Sequence, residues 1–211
     1  MIVKARPYGR PLGRKAEQSE ATRRRLLSVA RELFAERGYA GTATEEVVQR
    51  AGVTRGALYH QFRDKEDLFR AVYEEVEREL AERIVFGLRS RVTAETDAWE
   101  QIRAGNEAFL DACLDPAVQR IALLDAPAVV DAASRRDINS YGLRLIRRGL
   151  EMAIEQGLID PQPIEPMAHL VRAVLNEGAL LLARSSDPAT NRAEIGAAVD
   201  RLISGLRRPT W

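Results

Sequence analysis

Cysteine is nearly absent from this 211-residue chain: Cys113 stands alone, so no disulfide can close within it. With only two histidines, His60 and His169, that cysteine cannot complete a metal-ligand cluster either. No apolar run approaches the roughly 20 residues of a membrane span, and the opening MIVKARPYGRPLGRK has no apolar signal-peptide core. The expectation is a soluble cytoplasmic protein with no membrane partner, no metal and no cofactor. Enzyme signals are missing too. There is no glycine-rich phosphate loop and no nucleophile elbow, and His60 and His169 fall in different expected domains. Alternation of period two is also absent, which points to an all-α fold.

What the chain does have is an uneven charge. Residues 1 to 70 hold 15 Lys+Arg against 9 Asp+Glu, a net of +6, whereas the remainder is −5 and the whole is +1. A basic first third beside an acidic body suggests that the first part meets a polyanion. Helical periodicity begins near Ser19, after a stretch with two prolines, two glycines and five Lys/Arg that reads as a flexible basic arm over 1–18. A first helix is predicted over 21–37, with Leu26, Leu27, Ala30, Leu33 and Phe34 on one face. A short second helix follows, with Thr42 as N-cap and Glu45 as its capping-box partner. Gly52 then makes a tight turn, and Thr54 caps a third helix that ends near Gln61. A fourth helix starts after Asp64 and is long enough to bridge two domains. Further helices are predicted at about 97–114, 116–124, 134–156, 164–184 and 188–206. The expected organisation is a small head over 19–66 and a larger ligand-binding and dimerisation domain over 67–211.

Two short helices joined by a glycine turn and packed on a longer one make a helix-turn-helix, whose second short helix enters the DNA major groove. Here that helix is TRGALYHQ. Ala57, Leu58 and Phe62 anchor it, leaving Thr54, Arg55, Gly56, Tyr59, His60 and Gln61 for solvent or DNA. Glycine costs about 1 kcal/mol against alanine in a helix, so Gly56 needs a reason outside helix stability. The longer stretch ERGYAGTATEEVVQRAGVTRGALYHQFRDKEDLF, residues 36 to 69, resembles the DNA-binding domain of TetR-type repressors. The resemblance implies that Thr42, Thr54, Tyr59 and Lys65 hold phosphates and that Arg55, Gly56 and His60 face the bases. The chemistry agrees, since hydroxyls and a helix N-terminus suit phosphate and arginine reads guanine best. Many members of the family carry lysine where Arg55 stands.

In the arm, Gly9-Arg10-Pro11 resembles the centre of an AT-hook. Arg10 and Arg14 are candidates for a narrow minor groove, the alternative being a solvated tail with general attraction for DNA. The resemblance further implies a homodimer on a pseudo-palindromic operator, paired through 164–206, and a small hydrophobic effector in the larger domain. Apolar stripes on both helices fit pairing: Leu170, Val171, Val174, Leu175, Gly178, Leu181 and Leu182 on one, with Ile195, Ala198, Val199, Leu202, Ile203 and Leu206 on the other. Candidate ligand residues are Trp99, Phe109, Cys113, Tyr141 and Asn176, although for each the core or the dimer interface is the stronger alternative. The functional expectation is a repressor released from DNA by a small hydrophobic molecule. The alternative is a ligand-independent DNA binder, nucleoid-associated or acting in cell division, on the same fold.

Overall fold

The computed structural model describes residues 14–138 and 140–208, all helices and their connections. Helix α1 (Arg14–Gly41) starts well ahead of the expected residue 21, so the last residues of the predicted arm are helical. Its apolar stripe, Leu26, Leu27, Ala30, Leu33 and Phe34, is buried as the spacing requires. Gly38 interrupts it with φ 73° and ψ 175°, and a final turn continues to Gly41. Helices α2 (Thr44–Ala51) and α3 (Arg55–Gln61) follow, then α4 (Lys65–Arg89). Asp64 opens α4 by accepting the Asp67 amide at 2.8 Å. At 25 residues α4 is about 37 Å long at 1.5 Å per residue. One core runs without a break from Leu33, Phe34, Leu58 and Phe69 in the head to Cys113, Val118 and Ile121 in the body.

Helix α5 (Ala98–Ala112) packs along α4. The segment expected as a helix over 116–124 is a π-helix, Val118–Asp125, succeeded by the short α6 (Ala126–Val129). The single helix expected over 134–156 is two, α7 (Ala132–Ile138) and α8 (Ser140–Glu155). Helices α9 (Ile164–Arg184) and α10 (Pro188–Ser204) lie close to the expected bounds, with Asp187 accepting the Thr190 amide at 3.1 Å to cap α10. A second core joins α5, α8, α9 and α10 around Trp99, Leu110, Leu150, Leu175 and Val199. The body is fastened to the head by Asp125, whose Oδ2 accepts the Tyr39 amide at 2.7 Å and the Arg120 Nε at 3.2 Å.

Candidate nucleic-acid interface

The turn before α3 is built by Gly52, which adopts φ 61° and ψ 38° as the α2 C-cap and donates to the carbonyls of Gln49 and Val48. A side chain there would meet nothing within 4 Å, so the left-handed backbone alone calls for glycine. Thr54 starts α3 in extended geometry, and its Oγ1 accepts the Ala57 amide at 3.1 Å. That bond uses the oxygen as acceptor and leaves the hydroxyl proton for a phosphate. Leu58 is fully buried and Phe62 nearly so, while Arg55, Gly56, Tyr59 and His60 are exposed on the opposite side. The guanidinium of Arg55 lies 5.6 Å from the Tyr59 ring centroid and 3.6 Å from Glu45. Tyr59 therefore carries arginine on its ring and is 43% exposed, so the ring is not packed in the core. A Cβ on Gly56 would find only Thr54 Oγ1, at 3.9 Å. Among the described residues nothing requires glycine at that position.

Two expectations are corrected. Thr42 is 2% exposed and caps nothing: its hydroxyl donates to the carbonyls of Gly38, at 2.9 Å, and Leu33, at 3.2 Å. The N-cap of α2 is Ala43, without a side-chain bond, so the Thr42/Glu45 capping box does not form. Only the packing of the α1 C-terminus shows that the Thr42 hydroxyl is drawn away from α2. With its hydroxyl spent on two carbonyls, Thr42 is a structural lock and no longer a phosphate candidate. Gln61, expected to face solvent or DNA, is turned inward instead, donating its amide to Ser19 Oγ at 2.7 Å. Arg23 lies 4.6 Å from the Phe62 ring centroid, so α1 clamps the end of α3 from two sides.

Lys65, in the first turn of α4, places its ammonium 4.3 Å from the Tyr39 ring centroid. Partial burial holds its pKa below the ordinary lysine range, and burial, with Glu66 and Asp64 nearby, raises that of the Tyr39 hydroxyl. The ammonium is thus posted at the head surface by an aromatic contact that the sequence did not reveal. Arg14 begins α1, and Arg10 lies outside the described residues.

A cleft of about 680 Å³ opens between the second half of α4 and the start of α8. Val85, Phe86, Ile138 and Tyr141 supply apolar wall, and Glu77 sits in it with its carboxyl pushed up to about 7 by burial, a bond to Tyr73 opposing the shift. Its volume suits a small organic molecule.

Two family descriptions match this chain: residues 26–72 fit "Bacterial regulatory proteins, tetR family", and residues 99–206, half of the chain, fit "Tetracyclin repressor-like, C-terminal domain". The chain belongs to the TetR family. A crystal structure of a TetR-family transcriptional regulator from Pectobacterium atrosepticum is 35% identical and superimposes with a TM-score of 0.75, covering 92% of this chain and 98% of that one. Among curated relatives, the transcriptional activator FasR of Mycolicibacterium smegmatis is 36% identical over 42% of this chain and 39% of its own length. The transcriptional repressor KstR2 of Rhodococcus jostii is 36% identical over 41% of this chain and 46% of its own. The chain thus spans less than half the length of these two relatives, though nearly all of the solved one.

Within this TetR-family body the predicted ligand residues do not converge. Tyr141 lines the cleft, but Trp99 and Cys113 are sealed in the two cores, and Phe109 packs between them. Burial also pushes the Cys113 thiol far up, so it stays protonated. Asn176 is exposed on α9. The proposed pairing stripe divides likewise. Val171, Leu175, Gly178 and Leu182 face inward, and a Cβ on Gly178 would press on Val199 of α10. Leu170, Leu181 and Leu202 are 61%, 50% and 67% exposed and form the outward face. Amphipathic period places these residues on α9 and α10 but cannot say which side of a nearly all-apolar helix meets its own subunit. The cleft residues of α4 were missed because a helix with charged residues on that side reads as a solvated surface.

Proposed function

We propose that this protein is a DNA-binding transcriptional repressor acting as a homodimer on a pseudo-palindromic operator, released when a small hydrophobic molecule enters the α4/α8 cleft. The observation that carries the DNA reading is the exposed face of α3, where Arg55, Gly56, Tyr59 and His60 stand outward from a helix whose other side is buried. Arg55 and His60 read bases, the Thr54 hydroxyl, Tyr59 and Lys65 hold phosphates, and Arg10 and Arg14 add contacts from the N-terminal side. Dimerisation is supported by the exposed leucines of α9 and α10, an apolar face that a second copy would cover, and a pseudo-palindromic operator would then be met by two heads on successive major grooves. Repression is the simplest output, because occupying an operator requires no further surface for another protein. A protein of this kind works in the cytoplasm, and among the described residues no helix is long and apolar enough to cross a membrane.

The test is selection of bound sequences from random duplex DNA, followed by titration of the recovered site. An inverted repeat bound by two copies supports the reading, and uniform affinity for every duplex overturns it. Leu202→Glu, which puts charge in the outward leucine face, should convert a dimer to a monomer in sedimentation and lower operator affinity by at least tenfold. The ligand-independent alternative is left standing if no small molecule alters operator binding.

A further inference from the structure

The charged groups around the α4/α8 cleft are not equivalent once their partners are counted. Arg78 donates to Glu82 at 3.0 Å, on the helix that carries both. Arg144 donates to Ser140 Oγ at 2.9 Å, and its guanidinium lies 5.4 Å from the Tyr141 ring centroid. Glu74 and Arg89 are exposed at the lip, where water solvates them. Glu77 differs from all of these. It lines the cleft from partial burial, and among the described residues no arginine, lysine or histidine lies within ion-pair distance of it. Its hydrogen bond is to Tyr73, and the thiol of Cys113 nearby is neutral, so neither brings positive charge; Arg192, which also acts on Cys113, is held by Glu107 and Asp111. An acid withdrawn from water without a cation is costly, and a ligand that brings the missing charge recovers that cost.

We propose that the cleft takes an organic cation, an apolar amine or quaternary ammonium whose positive charge meets the Glu77 carboxylate while its hydrocarbon lies on Val85, Phe86 and Ile138. This rests on the reading of the cleft as the effector site and gives that effector a chemical class. The aromatic wall points the same way. Tyr141 already attracts one cation to its face in Arg144, and the ring of Phe86, 76% exposed at the cleft, offers a second such surface. An anionic ligand fits less well: Arg78 and Arg144 are engaged, Arg89 is solvated, and the deepest charge it would meet is negative.

Three probes with one hydrocarbon chain test this on the full-length protein: decyltrimethylammonium, decyl sulfate and 1-decanol, each kept below its micelle concentration. Calorimetric titration at pH 8, where the Glu77 carboxyl is ionised, should show the ammonium binding at least tenfold more tightly than the sulfate. In Glu77→Gln that ratio should fall to within about threefold. The wild-type ratio is a complete measurement by itself if the variant does not fold. Equal or tighter binding of the sulfate overturns the proposal, as does an ammonium preference that survives in Glu77→Gln. If decanol or the sulfate binds and releases operator DNA while the ammonium does neither, the ligand class fails and the effector reading stands. If none of the three binds, the effector reading fails as well.

Discussion

The exposed face of α3 and the α4/α8 cleft, the two proposed binding surfaces, satisfy their polar groups in opposite ways. Along α3 the internal bonds are spent mostly on the backbone, through the Thr54 cap and the Gly52 turn, and apart from the inward Gln61 the polar side chains Arg55, Tyr59 and His60 stay exposed. Water keeps their charge cheap, and a polyanion can collect them with release of its counterions. In the cleft the side chains satisfy one another, Arg78 with Glu82 and Arg144 with Ser140, and Glu77, partly buried, is bonded to Tyr73 but has no cation paired with it among the described residues. On the proposed reading, a surface for DNA is assembled by exposure and a site for a small molecule by desolvation. Substitutions on the two should respond differently, to salt in the first case and to pH in the second.

The largest effect is expected where α3 is anchored. Leu58 is fully buried against the head core, and Leu58→Ala should cost about 2 to 5 kcal/mol of stability. Because that core continues into the body, urea unfolding should remain a single shifted transition. Separate loss of the head would show that the two regions are less joined than the packing indicates.

The next effect belongs to the cleft. The Glu77 carboxyl sits near 7 in the folded chain against an ordinary 4.5, so native protein holds its proton after the unfolded chain has released it. Stability from this group is intact below 4.5, is lost as pH rises from 4.5 to 7, and stays lost above. Groups facing it are Tyr73, Glu74 and Arg78 on α4, Cys113 at the end of α5 and Arg144 on α8. Glu77→Gln should therefore gain on wild type by up to about 3 kcal/mol at pH 8 and by little at pH 4.5. Melting curves at both values decide it, and a gain independent of pH would mean that the acid is well solvated.

The same contrast explains what could be seen in the sequence. The head was legible because its signals are local: Gly52 for a left-handed turn, Thr54 for a cap, and Leu26, Leu33 and Phe34 at helical spacing. Thr42 escaped because a capping pattern in sequence cannot show that the Leu33 and Gly38 carbonyls come within reach of its hydroxyl. The cleft was mostly illegible, since Glu77 and Tyr141 lie 64 positions apart and neither belongs to a spacing rule. Large aromatics such as Trp99 attract attention in a sequence, but they filled the core, as such side chains generally do.

Arg55→Ala comes third, weakening specific binding by roughly 1 to 3 kcal/mol and relaxing preference at one base pair. Titrations of an operator series by fluorescence anisotropy, at two salt concentrations, would check it. Lys65→Ala should instead weaken all sequences alike and flatten the salt dependence. If Arg55→Ala behaves the same way, Arg55 is a phosphate contact and the readout rests on His60.

Gly56→Ala is the smallest change and the sharpest. Inside the protein a methyl group there meets only Thr54 Oγ1 at an ordinary contact distance, and alanine is the better helix former. Stability should rise by roughly 0.5 kcal/mol, less than the full propensity difference because the position lies in the first turn. Operator affinity should fall at the same time, since the methyl group stands between the backbone of α3 and the groove it enters. Opposite signs in the two measurements are what an externally imposed glycine requires. Gains in both would leave Gly56 with no partner inside or outside the chain, and α3 would have to lie further from the base edges than its exposed face suggests.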